Sequence, residues 1–581
     1  MTIDRRDFLR LGATTMAATA AASSPIRGLV PPVEVLRRRG EAPGAHIEEA
    51  TIADLQAAMT AGRLSARSLA VTYHARIDAL DRQGPSLNSV LEVNPDLRDI
   101  TGRLDRERGD GHVRGPLHGI PILLKDNIDT GDGMQTAAGS LALVGTPAFQ
   151  DSTVAAKLRE AGAVLLGKTN LSEWANFRSF HSASGWSGRA GPCRNPFILD
   201  RNPCGSSSGS GIAASANLVA ASIGTETDGS IVCPANANGV VGIKPTVGLV
   251  SRAGIVPIAS AQDTAGPHTR TVADAALVLD AIVSRTADPR DSATEPNRDR
   301  IPADYTSFVD PNGLDGARIG VARDGVTGYS DETDAVFEQA LAAIRSAGAT
   351  VVDPADIPTM ADINQGAEEV TVLVYEFRRD LNAYLATRSG VALDREGFPM
   401  TLAGLIDFNR AHQDEELKWF GQEWFEFTES QPYDDAAYMD ALARQRLLGG
   451  RDGIDAALTA NNLDAIVAPT GQPSWPIDLV NGDHFLGASS SPAAIAGYPL
   501  INVPMGFSFG LPVGITFMGT AFGEPTLIKV ASGFEAVTHA RRKPGFLPTL
   551  PLDGRAGRPR ARSDSRGGGA QSGVSQAMRQ L

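Results

Sequence analysis

Pro203-Cys204-Gly205-Ser206-Ser207-Ser208-Gly209-Ser210-Gly211 runs directly into Ile212-Ala213-Ala214-Ser215-Ala216-Asn217-Leu218-Val219-Ala220-Ala221. Taken alone, the first stretch reads as a flexible linker. Through Gly205-Ser206-Ser207-Ser208-Gly209 it also reads as a G-x-S-x-G nucleophile elbow, with Ser207 as nucleophile. The residues that follow argue against the linker: they are small, and they predict a helix over 212–221 that can pack tightly. A loop feeding the N-terminus of a buried helix is a place where backbone N–H groups converge. The elbow needs an acid and a histidine further along the chain, and His268, His412, His484 and His539 have no distinctive setting. It also leaves a second loop unexplained, Gly224-Thr225-Glu226-Thr227-Asp228-Gly229-Ser230-Ile231.

Upstream lies Gly119-Ile120-Pro121-Ile122-Leu123-Leu124-Lys125-Asp126-Asn127, a lysine at the end of an apolar run. A serine hydroxyl is a poor nucleophile until a neighbour takes its proton. Lysine can take it only when neutral, and burial among apolar side chains favours the neutral amine. Arginine stays protonated, and this chain uses arginine far more than lysine, so a lysine here carries information. Lys168 and Lys244 read as structural. Asp126, Asn127 and Asp129 either orient the lysine loop or simply form its turn. Gln262-Asp263-Thr264 is likewise either a site-lining segment or a turn. A base, a relay hydroxyl, a nucleophile and backbone donors together suffice to break an amide bond without histidine or metal.

Around these motifs, from 113 to 270, short apolar runs alternate with Gly-rich turns and helical patterns, as an α/β sheet with packed helices requires. Ile120–Leu124 and Ala163–Leu166 are strand candidates. The pattern resumes with a strand at Ala317–Val321, a helix at Asp331–Ala347 and a strand at Thr350–Val352. Residues 360–450 are helical and hold Tyr375, Phe377, Tyr384, Trp419, Phe420, Trp424 and Phe425, which either pack the core or wall a pocket. Leu463–Pro469, Pro499–Pro504 and Gly510–Gly519 return to the sheet as buried strands. Near the start, Ala50–Met59 predicts a helix capped by Thr51 or Asp54, and a second helix covers Ser68–Leu80.

With 581 residues, 42% hydrophobic and 21% charged, the chain can bury a large core. Its net charge of −14 argues against nucleic-acid binding, which needs a basic face. The three cysteines, Cys193, Cys204 and Cys233, form no CxxC pair, which argues against a zinc site or a disulfide framework. All three lie near the serine loops, so a Cys193–Cys204 bridge is a possible pairing. Cys233 reads as a small buried hydrophobe. Asp4-Arg5-Arg6-Asp7-Phe8-Leu9-Arg10 before a mild Ala/Thr-rich stretch predicts a twin-arginine signal over 1–22, with export machinery as partner and a periplasmic or secreted destination. That stretch is too short to anchor stably in a bilayer. Residues 23–46 read as a linker and 546–581 as a disordered Arg/Gly-rich tail. Oligomeric state is left open.

Lys125, the serine loop and Gly224–Ile231, continuing into Asn238-Gly239-Val240-Val241-Gly242-Ile243-Lys244-Pro245-Thr246, resemble the amidase signature family over residues 47–545, nearest its peptide-amidase-like branch. The resemblance implies one domain with a large mixed central β-sheet covered by helices on both faces, and no cofactor or metal. It also implies roles. Ser230 is the nucleophile, Ser206 a bridging serine with a cis peptide bond to Gly205, Lys125 the base and Ser207 a supporting hydroxyl. Thr227, Asp228, Gly229 and Ser230 supply the oxyanion-hole amides. The chain departs from the family at Asp228, where a second glycine is usual. The implied reaction is hydrolysis of carboxylic amides through an acyl-enzyme, with peptide C-terminal amides among the substrates that relatives process. The glutaminase-type subunit of a tRNA-dependent amidotransferase shares these motifs, and an exported binding protein of the same fold is the non-catalytic alternative.

Overall fold

In the computed structural model the described residues are 44, 47–296 and 298–551. The twin-arginine segment and all but Gly44 of the linker lie outside them, as does the tail beyond 551. At the start of that tail, Leu547 pairs with Ile198.

Among the described residues, eleven strands form one mixed sheet. In chain order they are β1 Val90–Val93, β2 Pro121–Lys125, β3 Val164–Thr169, β4 Ala221–Glu226, β5 Val241–Lys244, β6 Thr264–Thr269, β7 Arg318–Val321, β8 Thr350–Val352, β9 Ala465–Pro469, β10 Leu500–Ser508 and β11 Leu511–Met518. Their order across the sheet is β1-β3-β2-β4-β6-β5-β10-β11-β9-β7-β8. β2 lies parallel between β3 and β4. Every one of its residues is buried, which explains why Pro121–Leu124 reads as an unbroken apolar run, closed by Lys125, rather than an alternation.

The principal helices are α1 Ile52–Thr60, α2 Ala66–Arg76, α3 Ser208–Ser215, α4 Val232–Asn238, α5 Val272–Ile282, α6 Asp331–Ser346, α7 Ala367–Leu385, α8 Glu423–Ser430, α9 Asp435–Arg446, α10 Ser491–Ala496 and α11 Glu524–Thr538. Both faces of the sheet are covered, as β9 makes plain. Ala465 and Val467 pack with Phe337 and Leu341 of α6 and Leu527 and Phe534 of α11. Ile466 and Ala468, pointing the other way, pack with Val232 of α4 and Ala493 and Ile495 of α10. Thr51 caps α1 in a reciprocal capping box with Asp54.

The sequence expectation differs from the structure at the central helix. α3 begins at Ser208, inside the Gly/Ser run, and ends at Ser215, while Ala221 opens β4. Close packing overrides the poor helix propensity of that run. A Cβ on Gly209 would come within 2.3 Å of the Ser89 carbonyl oxygen, so only glycine allows this approach.

Candidate active site

The parallel strands β2 and β4 end side by side, and the ends carry Lys125 and Glu226. Crevices at such carboxyl ends are where open α/β sheets bind ligands. Lys125 is fully buried. Its Nζ lies 2.8 Å from Ser206 Oγ, 2.8 Å from Thr225 Oγ1 and 3.4 Å from the Thr225 carbonyl oxygen. Asn127 Nδ2 donates to the same threonine hydroxyl at 3.0 Å. Burial pushes the lysine down to about 7, against the opposing pull of Asp263 and Glu226. A neutral amine has two N–H donors and one lone pair. Thr225 supplies two acceptors, which leaves the lone pair for the Ser206 hydroxyl.

Ser206 follows Gly205 through a cis peptide bond, as the family resemblance implies. A Cβ on Gly205 would meet Ser172 Oγ at 2.2 Å, so the approach to the serine needs glycine. Ser207 Oγ donates to the Thr225 carbonyl at 2.9 Å and accepts from the Thr225 N–H at 3.1 Å. Its own N–H donates to the Ser230 carbonyl at 3.2 Å. Ser207 therefore brackets the serine loop onto β4 and the second loop, and its hydroxyl is spent on backbone. The elbow reading fails on this point. The histidines do not rescue it: His268 is held neutral by burial, at about 4, beside the Ile231 carbonyl, and His412 stacks on Phe408.

The second loop is organised around unspent donors. Glu226 Oε2 accepts from the N–H groups of Ile231 (2.6 Å) and Val232 (3.0 Å). The N–H groups of Thr227, Asp228, Gly229 and Ser230 donate to nothing among the described residues. Asp263 clasps the loop from behind, accepting from Thr227 Oγ1 at 2.6 Å and from the Ile258 and Ala259 N–H groups. Gln262 Nε2 reaches the Thr227 carbonyl at 3.4 Å and Glu369 Oε1 at 2.9 Å. The Gln262-Asp263 pair is thus a support of the site. Asp126 and Asp129 belong to the scaffold instead, bound to Arg189 and Tyr384.

Asp228, where the family resemblance implies a glycine, is accommodated by two hydroxyls. Ser490 Oγ donates to its Oδ1 at 2.5 Å and Ser491 Oγ to its Oδ2 at 2.7 Å. These bonds draw the side chain toward α10 and leave its N–H free. Gly229 has φ +80°, and a Cβ there would sit 3.0 Å from the Ser490 hydroxyl, so this position also requires glycine.

Ser230 lines a cleft of about 720 Å³, while Ser206 and Lys125 lie beneath it. The walls come from residues 175–184, from Glu369 and Leu373 of α7, from Trp424 of α8 and from the loop holding Trp475, Asp483 and Phe485. Of the aromatics expected in 360–450, only Trp424 reaches the cleft; Phe377 and Phe425 pack behind it, against Trp174 and the cleft-lining Phe177. Residues 175–184 and 475–490 are not legible as site residues in the sequence, because they are loops without hydrophobic period.

The cysteine expectation is corrected. Cys204 and Cys233 are bridged, with Cα atoms 5.9 Å apart, and Cys193 is a buried free thiol. Gly185 lies between Cys193 and the 203–208 segment, where a Cβ would touch both Cys193 and Pro203. Cys193 Sγ instead faces the Asn88 carbonyl at 3.2 Å.

A buried lysine, paired serine loops and a cleft at the carboxyl ends of parallel strands suit nucleophilic acyl transfer, and similarity to known amidases makes the chain an enzyme that hydrolyses carboxylic amides. A family model described as Amidase matches residues 70–528, and the chain belongs to that family. The native peptide amidase structure from Stenotrophomonas maltophilia is 51% identical with a TM-score of 0.81, covering 86% of this chain and 99% of that one. This places the chain with the peptide-amidase-like branch. A probable amidase of Arabidopsis thaliana is 42% identical over 86% of this chain and 92% of its own length. A glutamyl-tRNA(Gln) amidotransferase subunit of Halorhodospira halophila is 34% identical over 86% of this chain and all of its own.

Proposed function

We propose that the enzyme deamidates the C-terminal carboxamide of peptides through Ser230, Ser206 and Lys125. The contact that carries this reading is Lys125 Nζ to Ser206 Oγ at 2.8 Å in a fully buried setting, with no carboxylate among the described residues bonded to the amine. Neutral Lys125 draws the Ser206 proton, Ser206 draws the Ser230 proton, and Ser230 Oγ attacks the carboxamide carbon. The oxyanion falls against the free N–H groups of Thr227 through Ser230, each such donor lowering the barrier by about 3–4 kcal/mol. Return of the proton through Ser206 to nitrogen expels ammonia, and water then cleaves the Ser230 ester.

The similarity to a peptide amidase supports the substrate class, and the aromatic cleft suits a bulky acyl side. Export to an oxidising compartment is part of the same reading. The Cys204–Cys233 bridge supports it, since such bonds persist outside the reducing cytosol. Ammonia release from amidated peptides, with fluorophosphonate labelling that maps to Ser230, tests the proposal. Activity or labelling retained in Ser230→Ala ends it.

The similarity to the amidotransferase subunit, which spans that relative's full length, favours one second reading: a glutaminase component of a larger complex. Turnover of peptide amides by the isolated chain decides for the first. Activity only on glutamine, and only with partner proteins, decides for the second.

A further inference from the structure

The serines assigned above sit on different segments, and their separation must be held to a fraction of an ångström for a proton to pass. Ser206 lies two residues after Cys204; Ser230 lies three residues before Cys233, just ahead of α4. Noncovalent ties also join these segments: Ser207 N–H to the Ser230 carbonyl at 3.2 Å, Ser207 Oγ to the carbonyl and N–H of Thr225 at 2.9 and 3.1 Å, and Asn238 Nδ2 to the Pro203 carbonyl at 2.9 Å. Such bonds are individually weak. The disulfide is the one covalent tie between them. It is packed against Ala237 and Trp475, and both cysteines line the cleft.

We propose that the Cys204–Cys233 bridge is a positioning element of the catalytic site, holding the Ser206 segment in register with the Ser230 segment, so that full turnover requires the oxidised pair. The proposal rests on the Ser230–Ser206–Lys125 reading. Opening the bridge takes two electrons and two protons from a dithiol, which ends as a disulfide while Cys204 and Cys233 end as thiols. The opened segments keep their hydrogen bonds, so the cleft and substrate binding persist. What loosens is the alignment of the two hydroxyls, and misplacement on that scale can cost orders of magnitude in rate. Cys193 is already a thiol, so a reductant has no other cysteine bond to break.

The test uses the purified full chain in three forms: oxidised, reduced with dithiothreitol, and Cys204→Ser/Cys233→Ser. Thiols are counted by alkylation and intact mass, and kcat and KM are measured on one peptide amide. The expected result is a fall in kcat of about tenfold or more in the reduced form, with KM nearly unchanged, and recovery on reoxidation. The double variant should show the same low kcat and ignore the reductant. A reduced enzyme with two new thiols and undiminished kcat overturns the proposal, as does a double variant as active as the parent. If the bridge resists reduction the variant decides, and if the variant misfolds the reduced parent decides. Fluorophosphonate labelling of the oxidised parent separates the two readings. Labelling at Ser230 with no redox effect removes only the clamp, whereas no labelling at Ser230 removes the triad.

Discussion

The sheet centre and the helical wall facing it are built by opposite means. Around Ser206 and Ser230 nearly everything is small or is backbone, and position is fixed by short bonds such as Ser207 to both the N–H and carbonyl of Thr225. Across the cleft, position is fixed by bulk: Phe177 stacks on Trp424 with ring centroids 4.8 Å apart, and Phe377 meets Phe177 edge-on at the same distance. The first region holds reacting groups to tolerances that hydrogen bonds and glycines enforce. The second fills space and needs only volume and shape. Substitutions in the centre should therefore strike kcat, and those in the wall should strike KM and stability.

The largest effect is expected at the nucleophile. Ser230→Ala should lower kcat by at least about 10⁴-fold with KM for peptide amides and thermal unfolding nearly unchanged. Steady-state kinetics beside calorimetry checks both halves. A variant that loses its fold instead would mean that the centre, like the wall, works by packing.

Next comes the base. Lys125→Ala should cost about 10³-fold, and Lys125→Arg should not rescue it, because guanidinium stays protonated. In the parent, kcat/KM should rise with pH through about 7, as Lys125 loses its proton, and level off above. Asp263, raised to about 7 by burial, titrates in the same window but clasps Thr227 rather than the lysine. Asp263→Asn should lower the plateau and keep the limb but move it to lower pH, because a carboxylate that helps hold the Lys125 proton is gone. A flat profile in the parent would assign the base elsewhere.

The wall is tested by Trp424→Ala. Trp424 is buried against Phe177, Phe180 and Phe427. Its removal should destabilise by about 3–5 kcal/mol and raise KM for bulky peptide amides about tenfold, while a small aliphatic amide is turned over at nearly the parent kcat. Equal loss on both substrates would make the wall part of the catalytic geometry.

The same contrast governs what the sequence makes legible. Lys125 can be found because a lysine closing an apolar run is chemically out of place, and Ser230 because the second loop has no role in an elbow. The partners of Asp228 cannot be found: Ser490 and Ser491 lie more than 260 residues away in a stretch without pattern. Cysteine pairing is illegible for a similar reason, since spacing does not say which loop bases meet or that Gly185 separates Cys193 from its neighbour. Sequence puts the start of α3 four residues late because propensity penalises a Ser/Gly run that packing against the Ser89 carbonyl demands. The buried strands with apolar runs, such as β2 and β9, are legible. β4 and β6 are equally buried but read Ala-Ser-Ile-Gly-Thr-Glu and Thr-Ala-Gly-Pro-His-Thr, and small or polar residues write no strand signal.

The smallest expected effect is the one that sets centre against wall most directly. Lys125 is ordinarily protonated up to 10.5, and in the fold only up to about 7. Below about 7 both folded and unfolded chains hold the proton, and the fold bears the full cost of a buried ammonium. Between about 7 and 10.5 the unfolded chain binds the proton and the folded chain does not, so stability rises with pH. Above that window the cost is gone. Lys125→Met should therefore raise the unfolding temperature relative to the parent at pH 6.5, and the gain should shrink as pH climbs toward 10. There the stranded hydroxyls of Ser206 and Thr225 leave the variant slightly less stable. Trp424→Ala should lose stability at both pH values alike. A Lys125→Met variant destabilised at pH 6.5 would show that the lysine is held as a structural cation, and the centre would then owe its form to packing and pairing rather than to the reaction.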